Sequence, residues 1–201
     1  MWLRPPADAD EGRERPGAPD PTPADGAPDP GEVLVVVGIE EAEREVLLTV
    51  GDLVLGLIAS EPGPGRPSDP ALLRLLPDVV ADPAEAADLR RLSHGDVRRA
   101  KADQLRTLRR LVLVAAPEVA ITRRDLPVVA AALTQLRLVL ADRLGVVTDE
   151  DSAALDEVLA EGTADRDRTY LATVWRMLGA LQSALVDRML VDLDGSVAPD
   201  R

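Results

Sequence analysis

The chain has 201 residues, 46% of them apolar, with a formal charge of −13 and no cysteine. That length and apolar share suit one domain with a sizeable core plus a tail. The charge argues against attraction of the whole chain to nucleic acid or anionic lipid, and the missing cysteines exclude disulfides, thiolate catalysis and Cys-ligated metals. Phe is absent, and the aromatic residues are Trp2, Tyr170 and Trp175. A core must therefore be built from Leu, Val, Ile and Ala, with no aromatic platform for stacking bases. No secretory leader is legible at the N-terminus, and the longest apolar candidate for a span, Leu126 to Leu140, is too short and is broken by Thr134, Gln135 and Arg137. A cytoplasmic protein with no membrane contact is expected.

Residues 1–31 hold eight prolines and almost nothing to bury. They are expected to form a disordered tail, since such a segment cannot offset the entropy of ordering it. A single helical domain is expected over 32–193 and a disordered end over 194–201. Val33 to Val37 is a β-branched run closed by Gly38, a strand by composition. Glu40 to Ser60 reads as a helix with Val46, Val50, Leu53 and Leu57 on one side. Gly51 and Gly56 inside it suggest a backbone approaching closely there. The Pro/Gly stretch from Glu61 to Pro70 is a loop; Gly63-Pro-Gly65 within it lacks the Lys and Ser/Thr of a phosphate loop.

Two short helices are predicted next, Pro70–Leu76 and Pro83–Leu92, each with an Asp cap and Pro in the first turn. Ser93 with Asp96 resembles a capping box that opens a long helix to about Ala115. Val119 to Ile121 is a candidate partner for the first strand. Thr122 with Asp125 starts a helix that Gly145 stops. Its apolar residues fall at 126, 129, 133, 136, 140 and 144. A last helix, opened by Asp165 or Asp167 and running to about Leu190, repeats that spacing at 171, 174, 178, 181, 185 and 189. Each stripe returns to one side of a helix every turn, so the two helices are predicted to cover one another at the centre. Between them Asp149 to Ala160 forms a shorter acidic helix. The expected fold is mostly all-α: a bundle of about six helices with at most a two-stranded ribbon.

Candidate chemistry is sparse. On the predicted helix from Ser93, Val97, Ala100, Leu105, Leu108, Leu111 and Val112 share one side, and Arg98, Arg99, Arg106, Arg109 and Arg110 share the other. Residues 88–125 hold ten basic against five acidic side chains, opposite in sign to the whole chain. The arginine side reads two ways, as a docking surface for an acidic or phosphate-bearing partner or as a solvated face balancing the protein's own carboxylates. Arg137, flanked by Leu136 and Leu138, either finds a buried carboxylate or runs its stem out to water. His94, the only histidine, is expected on the surface. Asp192-Leu-Asp194-Gly195-Ser196 superficially resembles a calcium loop but lacks its third ligand, and helix capping accounts for Asp149-Glu-Asp151 and Asp156-Glu157. No catalytic residue, cofactor site or metal site is expected, so the protein reads as no enzyme.

Four blocks look familiar in this order: Asp69-Pro-Ala-Leu-Leu-Arg-Leu-Leu-Pro77, Ala86-Ala-Asp-Leu-Arg-Arg-Leu-Ser93 leading into Asp96-Val-Arg-Arg-Ala-Lys101, Leu136-Arg-Leu-Val-Leu-Ala-Asp-Arg-Leu-Gly145, and Leu181-Gln-Ser-Ala-Leu-Val186. Over roughly residues 32–190 the chain resembles an actinobacterial family filed as a domain of unknown function (number two thousand and seventeen). The resemblance implies a mostly helical cytoplasmic protein, commonly encoded beside the adaptor of the Clp protease and sometimes labelled a transcriptional regulator. The chain departs from the family at Thr134-Gln135, where the family carries Asn-Asp, and has fewer aromatics in its last two long helices. The family supplies no catalytic residue. The expectation carried forward is a non-enzymatic interaction or regulatory protein, with the Clp system as a possible partner and a homodimer left open. The alternative is a winged-helix-like DNA-binding regulator, which the net charge opposes.

Overall fold

The structure, a computed structural model, describes residues 1–6, 29–114, 117–162 and 165–196. Among these, β1 (Trp2–Arg4), β2 (Val33–Gly38) and β3 (Glu118–Thr122) accompany α1 (Glu41–Ser60), α2 (Pro70–Leu75), α3 (Pro83–Val114), α4 (Leu126–Leu144), α5 (Asp149–Ala160) and α6 (Arg166–Ser196). The mostly α architecture is as expected. Residues 7–28 of the expected tail and 197–201 of the expected C-terminal end lie outside the described residues. Asp194 to Ser196, from the calcium-like stretch, continue the α6 backbone.

The centre is the seam between α4 and α6. Leu133, Leu136, Ala132, Ala172, Leu178 and Leu185 have no exposed surface. Fully burying a leucine is worth roughly 1.5–3 kcal/mol, so this pair of stripes supplies much of the drive to fold. Helix α4 ends where Gly145 adopts φ 74°, its N–H returning to the Ala141 and Asp142 carbonyls. Helix α5 opens with a reciprocal cap: Asp151 N–H donates to the Thr148 hydroxyl (3.2 Å), and Thr148 N–H donates to the Asp151 carboxylate (2.8 Å). The two caps leave Val146 and Val147 to turn the chain between the helices.

The sheet is antiparallel in the order β1-β2-β3. It has one strand more than the expected two-stranded ribbon, because Trp2–Arg4 pairs with the other edge of β2. Leu34 to Val37 are all buried, as a central strand covered on both faces requires. Register shifts between Val33 and Val35, and the Leu34 carbonyl accepts Arg188 Nε of α6 at 3.0 Å.

Three local expectations are corrected. Helix α3 is continuous over 32 residues instead of breaking at Ser93. The Ser93 hydroxyl donates back to the Leu89 carbonyl (2.8 Å), as a mid-helix serine does, so it caps nothing. The buried side of α1 is Leu47, Val50, Val54 and Ile58, whereas Leu53 is 67% exposed. Finally, a methyl group at Gly51 or Gly56 would meet nothing within 4 Å, so neither glycine admits a close backbone.

Candidate functional site

The five arginines singled out on α3 do not form one face. The buried line of this helix is Ala86, His94, Arg98, Ala102, Leu105, Leu108 and Val112, so Arg98 belongs to the core side while Val97 and Ala100 are exposed. Arg98 Nη1 donates to the Ile58 carbonyl (2.9 Å) in the last turn of α1, which has no basic residue of its own there. Arg44, in the first turns of α1, donates in return to the Val112 carbonyl near the end of α3. The two helices thus run antiparallel, each supplying the cation that satisfies the other's C-terminal carbonyls. Burial lowers the Arg98 pKa, and Glu61 partly offsets this.

Arg99, Arg106 and Arg109 are exposed and spent on the protein's own carboxylates: Asp96 at 2.8 Å, Asp103 at 2.7 Å and Asp52 at 2.9 Å. Exposed pairs of this kind contribute about 0–1 kcal/mol each, and their main effect is to neutralise the helix surface. Arg110 differs. It has no ionic or hydrogen-bond partner among the described residues and lines a cleft of about 720 Å³ with Pro30, Thr107 and Arg124. Arg124 is likewise exposed, and only its backbone N–H is engaged, on the Pro30 carbonyl (3.1 Å). Sequence reasoning found Arg110 and missed Arg124, which reaches the same cleft from the turn after β3.

His94 is not a surface residue. It is 6% exposed, and its Nδ1 has no hydrogen-bond partner among the described residues. Helical spacing sets it between Arg90 and Arg98, and Arg90 pairs with Asp78. Burial lowers its pKa from the ordinary 6.5, the two arginines lower it further, and Asp78 opposes them. A neutral imidazole wedged between cations and lacking a carboxylate orienter is a poor general base.

A second cleft, about 700 Å³, opens where α4, α6 and the start of α5 meet. Arg137 stands in its wall, 5.4 Å from the centroid of the Trp175 ring, with Arg176 at 5.1 Å from the same ring. Neither sequence alternative describes Arg137 fully. It has no carboxylate partner among the described residues; its Nη1 donates to Gln182 Oε1 (2.7 Å), while Gln182 Nε2 donates to the Thr134 hydroxyl (2.6 Å). Burial lowers its pKa, and Arg176 adds to the effect. Trp175, Gly179 and Gln182 share one side of α6 at helical spacing, and a glycine there opposite an arginine was the available signal for this site.

The acidic stretch at 149–151 does what capping requires: the Asp151 carboxylate holds the Val147 and Thr148 N–H groups, and these bonds lower its pKa. Among the described residues no group of three or more His, Asp or Glu side chains is placed to hold a metal ion. Nor is any helix among them long and apolar enough to cross a membrane.

No curated protein and no solved structure matches the chain. The model of a family described as a domain of unknown function (DUF2017) matches residues 13–189, which spans all six helices except the end of the last. With most of its length matched in this way, the chain belongs to the DUF2017 family.

Proposed function

We propose that the protein is a non-enzymatic, cytoplasmic interaction protein that docks an acidic partner on the cleft between Arg110 and Arg124. The observation that carries this reading is the pair of exposed guanidinia without a counter-ion among the described residues, on a chain whose carboxylates outnumber its basic groups 36 to 23. Elsewhere on α3 the protein neutralises its own arginines. A forked donor left open to water is suited to carboxylates offered from outside. The gene neighbourhood that goes with the family resemblance directs the first partner test to the Clp adaptor and protease. Duplex DNA has no observation in its favour: α1 to α3 stand between β2 and β3 in the chain, so these strands make no wing hairpin.

The test is a pull-down with purified Clp adaptor and with native lysate, comparing the wild type with R110E/R124E. Retention of a defined partner by the wild type, weakening as salt rises and lost in the double variant, is the expected result. Identical partner lists for the two proteins would remove this cleft from consideration.

A further inference from the structure

The cleft between α4, α5 and α6 holds an imbalance that the docking reading does not use. Three guanidinia line it, and two are compensated. Arg74 pairs with Asp142 (3.3 Å) and donates to the Val146 carbonyl (2.9 Å). Arg176 pairs with Asp156 and reaches Ser152. Among the described residues Arg137 has only the neutral Gln182 amide and the Trp175 ring. Asp149, the acidic residue on the lining, forms no ion pair with it. A half-buried cation without a counter-ion is disfavoured unless something else supplies one.

The surroundings of Arg137 hold it in place. A methyl group on Gly179 would stand 3.4 Å from its Cζ, at ordinary contact distance, so the guanidinium lies close against the α6 backbone. Trp175 faces it, and Gln182 is oriented toward it by its own bond to Thr134. Its Nε is buried and without a partner among the described residues. With one Nη1 hydrogen on Gln182 and Nε buried, the donors left to meet a ligand are the Nη1 and Nη2 hydrogens at the end of the fork, where the two oxygens of a carboxylate match them. Preorganisation of this kind reduces what a ligand must spend to order the site.

We propose that this cleft is a binding site for a monoanionic carboxylate ligand seated on Arg137. One uncompensated positive charge calls for one negative charge; a phosphate dianion would bring an excess that Asp149 on the lining opposes. A volume of about 700 Å³ lies within the range of small-molecule pockets, about 300–1,000 Å³, so the ligand carries a body beyond its carboxylate. Leu138, Ala141, Val147 and Ala180 give that body apolar walls. A free organic acid and the C-terminal carboxylate of a peptide share this chemistry.

Trp175 is its reporter. In the full chain carrying W2F, Trp175 is the remaining tryptophan, and its fluorescence is followed while sodium propionate, sodium benzoate, inorganic phosphate, and an acetylated tetrapeptide with free or amidated C-terminus are added. A saturable change with the small acids identifies a free acid as the ligand. Saturation by the free-acid peptide but not by its amide or the small acids identifies a chain terminus. Either result supports the proposal when R137Q binds at least tenfold more weakly and R110E/R124E binds as the wild type does. R137K keeps the charge and the fold but loses the fork, and is expected to bind at least threefold more weakly. The proposal is overturned by no saturable change with either carboxylate source, by tighter binding of phosphate than of both, or by wild-type affinity in R137Q, or in R137K should R137Q fail to fold.

Discussion

At the buried centre of their seam α4 and α6 meet through side chains that have no polar atom to satisfy, their polar bonds being kept to the cleft side at Thr134, Arg137 and Gln182, whereas α3 buries an imidazole, a guanidinium and an amide among its contacts. Leu133 and Leu178 vanish from solvent without any hydrogen-bonding debt. On the α3 side, Gln135 of α4 is 2% exposed and donates to Gln104 Oε1 (2.6 Å), yet its own Oε1 has no partner among the described residues. His94 Nδ1 and Arg98 Nε and Nη2 are in the same condition. A dry seam gains from every methyl it buries. A polar seam gives back much of that gain in desolvation, so its residues fix which helix lies where more than they add stability.

The comparison is sharpest when each seam is cut. Leu178→Ala and Leu133→Ala should each lower the free energy of unfolding by roughly 3–5 kcal/mol in urea titrations, because fully enclosed leucines leave cavities that neighbours fill only partly. A loss below about 1 kcal/mol would mean that this seam is not the core. On the polar side, Arg98→Ala removes the donor on the Ile58 carbonyl and opens a gap, with an expected loss of about 2–3 kcal/mol. Arg98→Met fills the same space without an orphaned charge and is expected to fall within about 1 kcal/mol of the wild type. Equal losses in the two Arg98 variants would show that the charge itself holds α3 against α1.

The same contrast explains what could be read from the sequence. The six apolar positions of α4 are all buried, as are 174, 178, 181 and 185 of α6, because aliphatic stripes have one physical use. The Gly145 stop and the Asp caps of α2 and α3 were legible for an equally local reason: Asp69 accepts Ala71 N–H, and Asp82 accepts those of Ala84 and Glu85. Helix α3 misled because, after Ala86, the inward side of its first half is charged and polar. Arg90, His94 and Arg98 recur every four residues, so an apolar count followed Val97 and Ala100 onto the wet side. Their burial depends on Asp78, Glu61 and the end of α1, all distant in sequence. Arg137 was visible as an anomaly, but its partners lie 38 to 45 residues away on α6, and no local pattern names them.

His94 makes the polar seam sensitive to pH. Its folded-state pKa lies below the unfolded 6.5, so as pH falls past 6.5 the unfolded chain takes up a proton that the folded protein refuses. Its contribution is therefore complete above pH 6.5 and is lost as pH drops toward the folded value. The urea midpoint of the wild type should fall between pH 7.5 and 5.5, and the fall should be smaller in His94→Gln. Equal falls in both proteins would put the imidazole in water.

Glycine supplies the smallest effect and tests the backbone instead of the seams. Gly56 is exposed in the interior of α1 at ordinary helical φ, with open space where its Cβ would stand. Gly56→Ala should therefore raise stability by about 1 kcal/mol, since alanine loses less backbone entropy in a helix. Gly145 also has room for a methyl group, but its φ of 74° is strained for any L side chain. Gly145→Ala should lower stability by roughly 1 kcal/mol, by the same urea titration. Space is open at both sites, so opposite signs isolate φ as the cause. A loss at Gly56 would instead restore the close backbone approach that two glycines in α1 suggested, and would require a neighbour packed against that helix.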